Sequence, residues 1–97
     1  MCKSRIFAEV LDIVSRETEV PGEQILSSRK DDETVDARYL LVYYLAKKGF
    51  SCPNIARLIH KNARTVTHII TNFSNRGEKR KIFRINSENI GKQMRNN

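Results

Sequence analysis

A segment in the second half of the chain carries side chains that can bond to nucleic-acid bases and phosphates. Residues 63–73 are predicted as a helix, and on a wheel of about 100° per residue one face holds Arg64, Thr67, His68 and Thr71. Such side chains bond to base edges and phosphate oxygens. Because the segment contains no Asp or Glu, a helix here could lie between phosphates in a major groove without repulsion.

The opposite face of this segment is apolar, and a second helix is predicted just before it. Residues 52–60 form that helix, with Ser51 as its cap and Pro53 in its first turn. Ala56 supplies the small residue that a crossing helix needs, and Val66 and Ile69 follow it by ten and thirteen residues. This spacing favours a helix-turn-helix over residues 52–73.

The other predicted helices must position the two helices over residues 52–73. Helices are predicted over residues 5–17 and 33–48, with a helical turn over 22–26 after the break at Val20-Pro21-Gly22. The helix over 33–48 is expected to be central, with Asp31 or Asp32 as its cap and Lys47-Lys48-Gly49 as its end.

The predicted fold class is therefore all-α, a small helical bundle. Residues 1–76 are predicted as the DNA-binding domain. Residues 77–97 are predicted as a basic tail with a short helix around 86–94. Within this tail, Lys79-Arg80-Lys81 and Arg84 are expected to form a flexible arm.

Charge is unevenly distributed along the 97 residues. The net charge is −4 over residues 1–36 and +11 over residues 37–97, within a total of +7. A basic second part suggests a polyanionic partner.

The chain has no apolar run of membrane-spanning length, and Cys2 and Cys52 are too few and too far apart for a disulfide framework. We therefore expect a cytoplasmic protein that does not enter a membrane.

Several short motifs, in order, resemble the C-terminal DNA-binding domain of the bacterial replication initiator DnaA. They are Ile25-Leu26-Ser27-Ser28-Arg29-Lys30, Ala37-Arg38-Tyr39, Ser51-Cys52-Pro53-Asn54-Ile55-Ala56 and Arg64-Thr65-Val66-Thr67-His68. The likeness covers about residues 5–76 and implies a Trp-repressor-like helix-turn-helix. The ATPase part of the initiator, with its phosphate-binding glycine-rich loop, has no counterpart.

The resemblance also implies roles for individual residues. Arg29 would enter the minor groove, Pro53 would mark the approach of the backbone to a phosphate, and Lys47 or Lys48 would contact another phosphate. The bases would be read by Asn62, Ala63, Arg64 and Thr65. Because the first three of these replace the family's aspartate, histidine and threonine, a different base preference is expected, with Arg64 pairing to a guanine.

The predicted DNA interface combines these positions with neighbouring ones. Arg38 either contacts phosphate or pairs with Glu33 or Asp36 on its own helix, and we favour the pairing. The full set is Arg29, Arg38, Lys47, Lys48, Pro53, Lys61, Asn62, Ala63, Arg64, Thr65, Thr67 and His68.

Other functions fit the residues less well. A protein-interaction module is the main alternative, with a partner bound by the acidic N-terminal part; structured RNA is the next. Cys52, His60 and His68 match no zinc spacing, and Ser51 lacks an orienting acid nearby in sequence. We therefore predict no enzymatic activity, no metal and no cofactor. The tyrosines of the central helix are assigned to packing and not to base stacking.

Overall fold

Six helices make up most of residues 3–96, the part of the chain that this computed structural model describes. They are α1 (Lys3–Thr18), α2 (Gly22–Ile25), α3 (Asp32–Lys47), α4 (Cys52–Ile59), α5 (Ala63–Lys79) and α6 (Lys81–Asn96). No strand occurs in this range, so the all-α prediction is confirmed. None of these helices is both long and apolar enough to cross a bilayer. The predicted reduced thiol of Cys2 lies outside the described residues.

Side-chain caps begin three of the helices, at the positions that the sequence predicts. Asp31, Ser51 and Asn62 each accept a hydrogen bond from the backbone N–H three residues further on. Each bond satisfies one of the N–H groups that a helix start leaves unpaired. Two of these caps fix the starts of α4 and α5, the helices on which the predicted interface lies.

Left-handed residues end the helices where the chain must turn. Gly49 follows α3 with a φ of +97°, as predicted from its position after two lysines. Glu19 after α1 and His60 after α4 take the same region with φ values of +60° and +59°. A non-glycine residue is uncommon there, so these two tight turns depend on the packing around them.

Helix α3 is the centre of the bundle, as its apolar sequence predicts. It packs against each of the other five helices. Its fully buried residues include Ala37, Leu40, Leu41, Val42 and Leu45. Because α1, α4, α5 and α6 all rest on one rigid helix, the surface of α5 is held in a fixed relation to the loop before α3.

The prediction of a basic tail after residue 76 is wrong, although the short helix predicted around residues 86–94 lies within α6. Helix α5 continues to Lys79, and α6 folds back onto the bundle against α1, α3 and α5. Phe83 and Ile90 are buried in the main core, with the Phe83 ring centroid 5.0 Å from that of Phe73. The polar composition of the segment hides an apolar stripe, because Phe83, Ile90 and Met94 recur at helical spacing.

A shared carboxylate anchors the junction of α5 and α6. Asp36 of α3 is buried and accepts hydrogen bonds from Arg76 and Arg80. The hydrogen bond to Asp36 is the main reason that the pKa of Arg80 is raised, and burial opposes it. Arg84 donates to the carbonyl oxygen of Gly77 at 2.7 Å. Arg80 and Arg84, predicted as parts of a flexible arm, are therefore held by contacts to the bundle.

Candidate nucleic-acid interface

Helices α4 and α5 pack against each other across a three-residue turn, residues 60–62. The backbone N–H of Lys61 donates to the carbonyl oxygen of Ala56 at 3.0 Å and closes the turn. Ala56 is buried at this crossing, as are Val66 and Ile69 of α5. The inward faces are thus the ones predicted from residue spacing.

The outward face of α5 is exposed along its first half. Exposed positions there are Asn62, Ala63, Arg64, Thr67, His68 and Thr71, while Thr65 is half-buried. The only acid of the extended helix is Glu78, near its far end. The side chains predicted to meet a ligand are therefore presented together on one surface without a carboxylate among them.

Some polar atoms on this face are already engaged within α5. The Asn62 side-chain oxygen accepts from the Thr65 N–H at 2.8 Å, which leaves its amide NH₂ as the group available to donate to a ligand. The Thr67 hydroxyl donates to the carbonyl oxygen of Ala63 at 3.0 Å. Nδ1 of His68 lies 3.2 Å from the Asn72 amide nitrogen, so Nε2 is the ring nitrogen available to a ligand.

Arg64 differs from nearly all other arginines of the described chain. Eight arginines bond to a carboxylate, an amide or a backbone carbonyl, whereas Arg64 and Arg95 have no such intramolecular partner between residues 3 and 96. Arg64 also lies in the first turn of α5, on its exposed face. All five of its N–H donors are therefore available to an external acceptor.

Arg38 is a structural residue, and the predicted pairing with Glu33 or Asp36 is wrong. Its side chain donates to the carbonyl oxygens of Ile25, Ser27 and Arg29 at 2.9, 2.6 and 3.1 Å. The guanidinium points from α3 towards the preceding loop. Burial, the largest cause, lowers the pKa of this guanidinium, and Asp31 partly offsets the effect. Because Arg38 is only 7% exposed, its donors serve the loop and are not presented to a phosphate.

The same loop is tied to the start of α5 through Lys61. The Lys61 ammonium donates to the carbonyl oxygen of Ser27 at 3.3 Å, so this oxygen accepts from both Lys61 and Arg38. An open groove of about 610 Å³ lies here, and its lining includes Lys30, Asp32, Arg38, Lys61, Thr65 and His68. The pKa of Lys61 is lowered, first by burial and then by the charges of Arg38 and Lys30.

The acids that follow Lys30 are mostly committed to internal contacts. Asp31 caps α3 and forms an ion pair with Arg29 at 3.0 Å. Its pKa is lowered, chiefly by the hydrogen bond from the Thr34 hydroxyl. Asp32 lies 3.7 and 3.6 Å from Arg76 and Arg80. Arg29 itself is exposed at the loop surface, and it must leave Asp31 in order to enter a minor groove.

The other predicted phosphate contacts lie at the ends of α3 and α4. Lys47 and Lys48 are exposed at the end of α3, and Pro53 is exposed in the first turn of α4. The Lys47 ammonium lies over the Tyr43 ring at 5.3 Å from its centroid. Tyr43 in turn stacks on Phe73 of α5 at a centroid distance of 3.8 Å, so the tyrosine serves packing as predicted.

No group of three or more metal-binding side chains occurs between residues 3 and 96. Cys52 is a free, half-buried thiol at the start of α4.

One basic residue missed by the sequence reasoning is Arg95, which lies near Lys47 and Lys48 because α6 folds back. The apolar spacing within 83–94 is the signal that could have revealed its position.

We find no family model that matches the chain, and no curated protein that matches it significantly. The likeness to the DnaA domain therefore remains a prediction from the residues.

Proposed function

We propose that this protein binds double-stranded DNA with a base preference, through a helix-turn-helix formed by α4 and α5. Helix α5 enters the major groove as the recognition helix. The observation that carries the proposal is the exposed, acid-free start of α5, on which Arg64 has no partner within the described chain. A guanidinium in this position is suited to a bidentate bond with N7 and O6 of a guanine.

The neighbouring groups supply the remaining contacts. Thr67, His68 and the Asn62 amide bond to base edges or to phosphates beside the Arg64 site. Lys61, Lys47 and Lys48 neutralise phosphates, and Arg29 enters the adjacent minor groove after releasing Asp31. The DnaA-like order of motifs supports this assignment of roles, and a task in replication or transcription follows by analogy only.

Selection of random duplex DNA by the purified chain tests the proposal. At roughly physiological salt, where bare phosphate attraction is screened, we expect an enriched motif that contains at least one guanine. Arg64→Ala should cost about 1–3 kcal/mol in affinity for that motif and relax the preference at the guanine position.

Two further variants separate base reading from charge. Lys79→Ala removes an exposed cation at the end of α5 and should weaken binding to all sequences about equally. Arg16→Ala removes an exposed arginine of α1, a helix that packs on α2, α3 and α6, and should leave the motif unchanged. If Arg64→Ala lowered binding to all sequences uniformly, Arg64 would not read a base. Absence of any motif, with binding only at low salt, would instead favour a protein-interaction module.

A further inference from the structure

The folding back of α6 creates a cationic groove that the sequence does not reveal. The groove, about 400 Å³ in volume, lies between the C-terminal ends of α3 and α6. Its lining contains three cations, Lys47, Lys48 and Arg95, and no acid. Apart from these cations the lining is aromatic or apolar.

Close packing of the two helices holds the cations on one surface. The Tyr44 hydroxyl of α3 donates to the carbonyl oxygen of Ser87 in α6 at 2.8 Å. Gly91 permits this approach, because a Cβ atom there would lie 3.3 Å from the Tyr44 hydroxyl oxygen and 3.8 Å from a terminal nitrogen of Arg95. Arg95 follows Gly91 by about one helical turn and lines the groove together with Lys47 and Lys48.

Within residues 3–96, no carboxylate pairs with this cluster. Lys48 and Arg95 have no acceptor within the described residues, and Lys47 lies over the Tyr43 ring. The ends of α3 and α6 each contribute a partial negative charge of about half a unit. Two such ends offset only about one of the three positive charges, so the groove is electrostatically suited to an anion.

The groove is also close to the proposed recognition helix. Tyr43, which lies beneath Lys47, stacks on Phe73 of α5 at 3.8 Å. Phe73 lies on the inward face of α5, opposite Arg64, so a duplex that reached the groove would meet it with its backbone and not with the bases read by α5.

We propose that Arg95, Lys48 and Lys47 each bind a backbone phosphate of the duplex, outside the bases read by α5. This inference rests on the proposed DNA binding. It makes α6 a second, sequence-independent part of the interface, so that the bound site is longer than the motif.

The salt dependence of duplex binding by the full chain tests this inference. A duplex carrying the selected motif is titrated at several salt concentrations with the wild type, Lys48→Ala, Arg95→Ala and the double variant. Removal of one cation that meets a phosphate should reduce the slope of log K against log salt by about 0.9. We expect the slope of the double variant to fall by about twice that amount, while the enriched motif stays the same and circular dichroism shows the same helix content.

Lys92→Ala is the matched control, because Lys92 is an exposed α6 lysine that does not line the groove. Its slope should equal that of the wild type. An unchanged slope for Arg95→Ala, or an equal reduction for Lys92→Ala, would overturn the phosphate site and leave base reading by α5 intact. If the wild type bound no duplex even at low salt, both the phosphate site and the proposed function would be wrong.

Discussion

Phe83→Ala is expected to lower the free energy of unfolding by about 3–5 kcal/mol, the usual cost of removing a buried aromatic ring. Phe83 is 1% exposed, and its ring lies against Phe73 and Tyr39 at centroid distances of 5.0 and 6.4 Å. Its removal leaves a cavity at the place where α6 meets both α3 and α5. A bundle of this size has a total stability of about 5–15 kcal/mol, so the loss is a large part of it.

Urea denaturation followed by circular dichroism measures this loss, and the adjacent residue provides the control. Ile82 is 57% exposed on the same helix, so Ile82→Ala should change the unfolding free energy by less than about 0.5 kcal/mol. Similar small changes for both variants would mean that α6 does not dock through Phe83. The test therefore bears directly on whether the chain after residue 80 belongs to the core.

Arg38→Met is expected to cost about 3 kcal/mol or more of stability. Methionine replaces the stem of the side chain but donates no hydrogen bond to the carbonyl oxygens of Ile25, Ser27 and Arg29. A buried group left without its partner loses about 1–3 kcal/mol, and partial access of water to the loop limits the total. The loop between α2 and α3 should open, because Arg38 attaches it to α3 through three hydrogen bonds.

Denaturation gives the free energy, and limited trypsin digestion reports on the loop. Cleavage after Arg29 and Lys30 should be faster in Arg38→Met than in the wild type. Arg16→Met is the matched control, since the exposed Arg16 bonds only to Asp12 of its own helix among residues 3–96, and it should change neither measurement. A stable Arg38→Met protein with a protected loop would show that these hydrogen bonds do not hold the loop.

The starts of α3, α4 and α5 and the end of α3 were predictable because the signals for them act within one turn. The caps Asp31, Ser51 and Asn62 bond three residues ahead, and Gly49 takes the left-handed conformation by itself. The outward face of α5 follows from helical periodicity for the same reason. Five of the six helices could be placed from such local patterns.

The length of α5 and the position of α6 were not predictable in this way. Arg76 and Arg80 come 40 and 44 residues after Asp36, and nothing near them in sequence indicates that partner. Phe83, Ile90 and Met94 are three apolar positions among polar ones. They form a helix stripe only when α1, α3 and α5 offer a surface on which to bury it, since tertiary packing supplies most helical stability.

In the candidate interface, too, some features follow from local sequence and others only from long-range contacts. The residue order already placed Arg64, Thr67 and His68 on an acid-free helix face, because periodicity alone sets which side chains point together. It did not show that Arg38 binds loop carbonyls, that Asp32 faces Arg76 and Arg80, or that Arg95 joins Lys47 and Lys48. Those pairings depend on how the helices cross, because charged groups far apart in sequence meet only after the apolar faces have packed.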